Sequence, residues 1–111
     1  MLQIVVPSDG AMVSDPAETN FQVIAYDPAV GTNDGDGITS VDFNITLITG
    51  SGNYGHNRSD TTAPYCAYGG SGACPTIPNW ANMDPGTYQL TATGNASGKP
   101  SVTISVIFTK P

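Results

Sequence analysis

The sequence predicts an all-β fold of about seven strands, packed as a two-sheet sandwich with Greek-key connections. Helix formers are scarce, and the chain of 111 residues carries 13 Gly and 9 Pro together with abundant Thr, Ser and Asn. Apolar and polar residues alternate at period two, and turn residues recur about every ten positions. A single open sheet of that many strands would leave one apolar face in water, so two packed sheets are expected.

The N-terminal part of the chain supplies three strands in one predicted domain that spans residues 1–111. The segment LQIVV ends at Pro7, and PSDGAMV is a turn that leads into a short edge strand, a position at which proline is tolerated. The segment TNFQVIAYD places Phe21, Val23 and Ala25 on one face. This third strand is therefore predicted to face the core.

The middle and the end of the chain supply the remaining strands. In ITSVDFNITLI one face is apolar, and Asp42 and Asn44 point the other way. Residues 50–60 are interpreted as a loop or a loose hairpin tip, and TTAPYCAY contains a strand that starts after Pro64. The predicted inward residues of the long strands are Val41, Phe43, Ile45, Leu47, Tyr88, Leu90, Ala92, Val102, Ile104, Val106 and Phe108.

The charge distribution limits the partners. Nine acidic residues face three basic ones, Arg58, Lys99 and Lys110, and the formal charge of −6 repels phosphate backbones and anionic lipid. Nucleic acid is therefore an unfavourable partner, and the low Lys content favours a secreted or cell-surface protein. No apolar run reaches the ~18 residues of a membrane span. The first residues lack a basic leader, so we expect a mature module or a piece of a longer protein.

The two cysteines, Cys66 and Cys74, lie in the Gly-rich segment PYCAYGGSGACP. Sulfur ligation of a metal would need more Cys or His nearby than this segment offers. A disulfide that closes the loop is the simpler interpretation and requires an oxidising compartment. Two free buried thiols are the alternative.

An acidic, Gly-rich connection follows the third predicted strand. Asp27, Asp34 and Asp36 lie in DPAVGTNDGDG, which is longer than a typical sandwich connection of about 4–6 residues. If the loop ends meet, the carboxylates converge, and that costs free energy unless a cation binds; Ca²⁺ suits such oxygen ligands. An EF-hand is excluded because Thr32 and Phe43 occupy positions that need acidic ligands. A solvated turn without a ligand is the alternative.

Two motifs resemble a known family. MDPGTYQL is similar to the tyrosine corner of immunoglobulin-like domains, with Tyr88 as the corner and Leu90 as the core residue two positions later. The loop above, APYCAYGG, GTYQLTAT and VTISVIFT together resemble the Big-type immunoglobulin-like modules with a calcium loop that occur in secreted bacterial and archaeal surface proteins and hydrolases. The likeness covers residues 4–109. It implies Ca²⁺ ligands at Asp27, Asn33, Asp34 and Asp36, with carbonyls near Thr32 and Ile38.

Asp42 stands just beyond that loop, where it either solvates the sheet or supports the cation site. Catalytic residues are not expected. The single His56 lies in a Gly- and Asn-rich segment that we interpret as an exposed loop, and Asp60 and Asp84 lack an apolar setting that would raise the pKa of an acid. We therefore expect a non-catalytic extracellular structural or spacer module, stiffened by Ca²⁺ and a disulfide, whose partners are neighbouring modules.

Two alternatives stay open. The first is a carbohydrate-binding module that stacks polysaccharide on an aromatic platform, although the same rings could cap the ends of the sandwich. The second is a subunit of an extracellular filament or adhesive assembly, since Ile24, Tyr26 and Ile107 are apolar on the predicted solvent side. Sequons at Asn44, Asn57 and Asn95 accept glycans only in a host with that machinery. The candidate platform residues are Tyr54, Tyr65, Tyr68 and Trp80.

Overall fold

The computed structural model describes residues 1–70 and 72–111. The described chain is all-β, as predicted, with two short 3-10 helices at Pro16–Thr19 and Trp80–Asn82. None of its helices has the length and hydrophobicity needed to cross a bilayer. The strands are β1 (Leu2–Val6), β2 (Ala11–Met12), β3 (Gln22–Ala25), β4 (Ser40–Gly50), β5 (Gly55–Asp60), β6 (Tyr65–Cys66), β7 (Gly86–Asn95) and β8 (Val102–Lys110).

The strands form two sheets. The smaller sheet has the order β1-β3-β6, and the larger has the order β2-β8-β7-β4-β5. All pairs are antiparallel except β2 with β8, which is parallel. The chain therefore leaves the small sheet after β1 and joins the edge of the large sheet at β2. Two sheets with apolar inner faces are compatible with a β-sandwich.

The register of the large sheet aligns its inward side chains in rows. Tyr88 of β7 lies between Leu47 of β4 and Phe108 of β8, and Leu90 lies between Ile45 and Val106. Because side chains alternate across a strand, the residues between these rows face the solvent. The core predicted from the alternation is confirmed for most positions, and its buried members are Phe21, Val23, Ala25, Val41, Phe43, Ile45, Tyr88, Leu90, Ala92 and Phe108.

Two sequence expectations differ from the structure. Residues 55–60, predicted as loop, form strand β5, which pairs with β4 from Val41 to Thr46 and so continues the hairpin. On β8, Phe108 is fully buried, but Val102 is 55% exposed, and Ile104 and Val106 are only partly buried. The alternation of β8 is as predicted, but the N-terminal half of this strand extends beyond Phe108 and Thr109, the two residues that pair with β2.

Candidate functional site

The acidic connection between β3 and β4, residues 27–37, is named the aspartate loop here. Its ends meet, because the amide of Asp27 donates to the carbonyl of Asp36 at 2.7 Å and the amide of Gly35 donates to the carbonyl of Ala25 at 2.7 Å. Gly35 and Gly37 have φ values of +97° and +73°, a region that glycine adopts without a steric penalty. The expected closed loop is therefore present.

Each carboxylate of the aspartate loop accepts a backbone hydrogen bond. Oδ1 of Asp34 accepts from the amide of Ala25 at 3.0 Å, at the end of a core strand. Oδ2 of Asp36 accepts from the amide of Asn33 at 3.0 Å, and its side chain packs against Gly31. Such hydrogen bonds satisfy amides that the loop would otherwise leave unpaired. The aspartates thus act as local caps that hold the path of the backbone.

Asp27 makes a different contact. Its Oδ1 accepts from the amide of Ala29 at 3.0 Å, and its Oδ2 forms an ion pair with the ammonium of Lys99. The hydrogen bond from Lys99, followed by that from Ala29, lowers the pKa of the Asp27 carboxyl below its ordinary value. Lys99 lies in the turn between β7 and β8, so the ion pair joins the start of the aspartate loop, which follows β3 of the small sheet, to the large sheet. This role of Lys99, one of three basic residues, was not apparent from the sequence.

The predicted calcium ligands fit a hard cation in their chemistry, since Asp27, Asn33, Asp34 and Asp36 bring oxygen donors to one loop. Asp34 and Asp36 each use one carboxylate oxygen for a backbone amide. Both oxygens of Asp27 are engaged, so a cation would have to displace Lys99 from that carboxylate. Within residues 1–70 and 72–111, no group of three His, Cys, Asp or Glu side chains has a metal-binding arrangement. Calcium binding stays a prediction.

Asp42 points outward from β4, as predicted. Its Oδ2 accepts a hydrogen bond from the Asn95 side-chain amide at 3.0 Å, and the same amide donates to Ser40. Asp42 therefore belongs to the polar outer surface of the large sheet. No contact of Asp42 with the aspartate loop is present among the hydrogen bonds of the described residues.

The Cys66–Cys74 disulfide is present, with the two Cα atoms 5.2 Å apart. Residues 66–70, which lead from Cys66 toward Cys74, are named the disulfide loop here. Asp60 at the end of β5 supports its start, because Oδ2 accepts from the amide of Cys66 at 3.1 Å and Oδ1 accepts from that of Thr62 at 3.2 Å. Asp60 is only 9% exposed, and both of its carboxylate oxygens accept backbone hydrogen bonds, so its role is structural. This role was not apparent from the sequence.

The four candidate platform rings do not share an exposed surface. Tyr65 and Trp80 are 1% and 2% exposed and belong to the core, because large rings bury more apolar area there than at a loop edge. Tyr54 and Tyr68 are half-buried and joined through their hydroxyl groups. Polysaccharide binding stays a prediction that concerns these two rings alone.

His56 is not an exposed loop residue. It lies on β5, stacks on the ring of Tyr68 with centroids 4.0 Å apart, and donates from Nε2 to the carbonyl of Ala67 at 2.6 Å. Next to it on the same side, Arg58 packs its guanidinium against Gly69. His56 and Arg58 thus fasten β5 to the disulfide loop. The sequence did not predict these contacts because it did not predict β5.

Comparison with known proteins found no significant match to a protein family, to a curated protein or to a solved structure.

Proposed function

We propose that the chain is a single immunoglobulin-like, Greek-key module of the Big type that serves as a non-catalytic structural unit of an extracellular protein. The observation that supports this most is the hydroxyl of Tyr88, which donates to the carbonyl of Asp84 at 2.6 Å. Tyr88 stands near the start of β7, two positions before the buried Leu90, which is the arrangement of a tyrosine corner.

The strand order supports the same proposal. In immunoglobulin-like sandwiches the first two strands share one sheet, and the third strand shares the other sheet with the last two. Here β1 pairs with β3, and the short β2 pairs with β8. Strands β4, β7 and β8 then form the centre of the large sheet, and β3 and β6 complete the small one. Fold alone does not define function, so the structural role must be supported by the side chains themselves.

The hydrogen bonds of the polar side chains support the structural role. Asp34, Asp36 and Asp60 accept hydrogen bonds from backbone amides, and His56 donates to a backbone carbonyl. Side chains that are engaged in this way fix loops. Loops fixed in this way favour a rigid spacer that holds its neighbouring modules at a defined angle. The disulfide favours an oxidising extracellular compartment, where such a bond persists.

Calcium is the proposed stiffening ion. A cation that binds only the folded state stabilises it by RT ln(1 + [L]/Kd), which is about 2.7 kcal/mol at a hundredfold excess over Kd. The aspartate loop is the proposed site, with Asp27, Asn33, Asp34 and Asp36 as ligands and with Lys99 displaced from Asp27 on binding.

Calorimetric melting with Ca²⁺ and with EGTA tests this proposal. We expect a higher melting temperature in Ca²⁺ for the wild type and for Asp42→Asn, which removes one negative charge outside the loop and keeps an oxygen to accept from Asn95. Asp36→Asn, which keeps an oxygen to accept from Asn33, should lose the calcium-dependent difference. Equal melting temperatures of the wild type in Ca²⁺ and EGTA would contradict the calcium part and leave the structural part standing.

An assembly role is the second candidate, because the edge of β8 is open over part of its length.

A further inference from the structure

Most strand edges of the described sandwich carry a feature that prevents pairing with another chain. On β5, His56, Arg58 and Asp60 point inward and are held by the disulfide loop or its first residue. Inward charged residues are a known device against edge pairing. At the edge of the small sheet, β6 has only two residues and follows Pro64.

The β1 and β2 edges are also interrupted. Strand β1 has a register irregularity between Ile4 and Val6 and is followed by Pro7. Strand β2 is two residues long and covers only the end of β8. Just before it, the carboxylate of Asp9 accepts from the amide of Ile107 at 2.8 Å, and the amide of Gly10 donates to the carbonyl of Ile107 at 2.7 Å. This part of the β8 edge is therefore closed by the chain itself.

In the described part of the chain, the first half of β8 has no hydrogen-bonded neighbour on its outer side, although β1 of the small sheet lies close to β8. The backbone groups of Ile107 and Thr109 point away from β7, since they bond to Asp9, Gly10 and Val13. The backbone alternates with period two and β7–β8 has no irregularity, so the amides and carbonyls of Thr103 and Ser105 point the same way. Within the described residues these groups have no hydrogen-bond partner. The segment Val102–Val106 contains no charge and no proline.

We propose that this open edge is a homodimerisation surface, in which β8 of a second copy pairs antiparallel with β8. A two-fold axis passes between the two Ile104 residues, and Thr103 of each copy faces Ser105 of the other. This register forms about four hydrogen bonds between the copies. It joins the two five-stranded sheets into one continuous sheet, and the interface is closed and isologous.

The length and symmetry of the edge favour a second copy over another extended peptide. The unpaired groups at Thr103 and Ser105 are symmetric about Ile104, so the segment complements itself. Pro100 precedes the segment on one side, and Asp9 covers Ile107 on the other. In this register the pairing ends where Val102 of one copy faces Val106 of the other, because Asp9 and Gly10 already occupy the edge beside Ile107.

The outer faces of the two sheets are compatible with this pairing. Thr103 and Ser105 are bonded through their side chains to Thr93 and Thr91 of β7, each at 3.0 Å. The side chains of Thr103 and Ser105 are therefore directed toward β7 and do not cover the open edge. Val102 is 55% exposed at the start of the strand and would lose exposure beside Val106 of the second copy. The net charge of −6 on each copy opposes association, so added salt should strengthen the dimer.

Sedimentation velocity tests the proposal on the full chain from about 10 µM to about 1 mM, a range that detects weak association. The weight-average mass should rise from 11.4 kDa toward twice that value, and it should rise further with salt. Ser105→Pro removes the outward amide at a position where an edge strand tolerates proline, and it should keep the chain monomeric. The matched control Ser105→Ala removes the hydroxyl but keeps the amide, and it should dimerise like the wild type.

Amide hydrogen exchange of the wild type gives a measure that does not depend on the variants. The amides of Thr103 and Ser105 should become protected as concentration rises, whereas the amide of Ile107, already bonded to Asp9, should change little. A chain that stays monomeric at about 1 mM overturns the proposal. So does a dimer that persists in Ser105→Pro, a dimer lost in Ser105→Ala, or a dimer in which the amides of Thr103 and Ser105 stay unprotected.

Discussion

The two ends of the sandwich are held by different kinds of contact. At one end, which we name the aromatic end, Phe21 and Phe108 meet edge to face with centroids 4.9 Å apart, and Tyr88 stacks on Phe108 at 5.4 Å. Trp80 lies 6.3 Å from both Tyr88 and Phe108. At the other end, the loop end, the aspartate loop and Lys99 close the sandwich through backbone caps and an ion pair.

The side chains between the two sheets also differ in size between the two ends. Toward the loop end the inner positions of β3 and β7 become small, at Ala25, Ala92 and Gly94. A cavity of about 130 Å³ remains there, with Leu2, Tyr26 and Lys99 among its lining. Since stability from burial scales with apolar area and falls with cavity volume, the aromatic end should carry most of the folding free energy. The loop end holds its shape through polar contacts instead.

The largest expected effect is that of Phe108→Ala, because it opens a cavity among three other buried rings. We expect a loss of about 4 kcal/mol in the free energy of unfolding. The matched truncation at the loop end, Leu2→Ala, should cost only about 1–2 kcal/mol, because Leu2 is partly buried beside an existing cavity. Urea unfolding measures both values. Similar losses for the two variants would remove the distinction between the ends.

Glycines at the two ends of β7 provide a sharper test. A Cβ on Gly86 would lie 2.2 Å from the carbonyl oxygen of Thr49, and φ there is +153°. Gly86→Ala should therefore destabilise the protein by about 2–3 kcal/mol. A Cβ on Gly94 would lie 3.3 Å from the Cδ1 atom of Leu2, a flexible side chain beside the cavity.

Gly94→Ala should accordingly stabilise the protein by about 0.5 kcal/mol, chiefly because alanine restricts the unfolded chain. A glycine-to-alanine substitution in the same strand is thus expected to change the free energy of unfolding in opposite directions at the two ends. The difference between the midpoints of urea unfolding is the measurement, and a Gly94→Ala variant less stable than the wild type would show that the loop end is as tightly packed as the aromatic end.

The smallest expected effect is the pH dependence, which also differs between the ends. The pKa of Asp27 is lowered in the fold, mainly by the hydrogen bond from Lys99, so its stabilising contribution is complete above the ordinary value of 3.8. It is lost as the pH falls through the lowered pKa. Burial raises the pKa of Tyr88. The contribution of its protonated hydroxyl to the free energy of unfolding is therefore complete below the ordinary value of 10.0 and is lost as the pH rises from there through the raised pKa.

Melting temperatures of the wild type and Asp27→Asn across the acid range check the first part. The difference between them should be constant near neutral pH and disappear below the lowered pKa of Asp27. Absorbance of tyrosinate during alkaline titration checks the second part, since buried tyrosines should ionise together with unfolding. A difference that persists unchanged at the acid extreme would exclude the Asp27–Lys99 pair as its source.

The sequence predicts the aromatic end better than the loop end, for a physical reason. Alternation identifies Phe21, Tyr88 and Phe108 because burial acts on every second residue of a strand, a local pattern. The resemblance of MDPGTYQL to a tyrosine corner likewise predicts the Tyr88 hydrogen bond, whose partner Asp84 is four positions away. Both signals depend on neighbours in the chain.

Contacts between distant segments were not predictable in the same way. Lys99 and Asp27 are 72 positions apart, and the amide of Ile107 bonds to Asp9 across 98 positions. Strand β5 was missed because the residues on its inner face, His56, Arg58 and Asp60, are polar and contact the disulfide loop or its first residue. A polar residue that is satisfied by a remote backbone group leaves no periodic pattern in the sequence.

The position of Trp80 has a consequence for spectroscopy. It is the only tryptophan of the chain, and it is 2% exposed in contact range of Tyr88 and Phe108, with the Lys110 ammonium 5.6 Å from its ring centroid. Its fluorescence should therefore be emitted at short wavelength and should report the aromatic end. Opening of the aspartate loop would leave that emission unchanged, so an optical melting curve would follow only one half of the molecule.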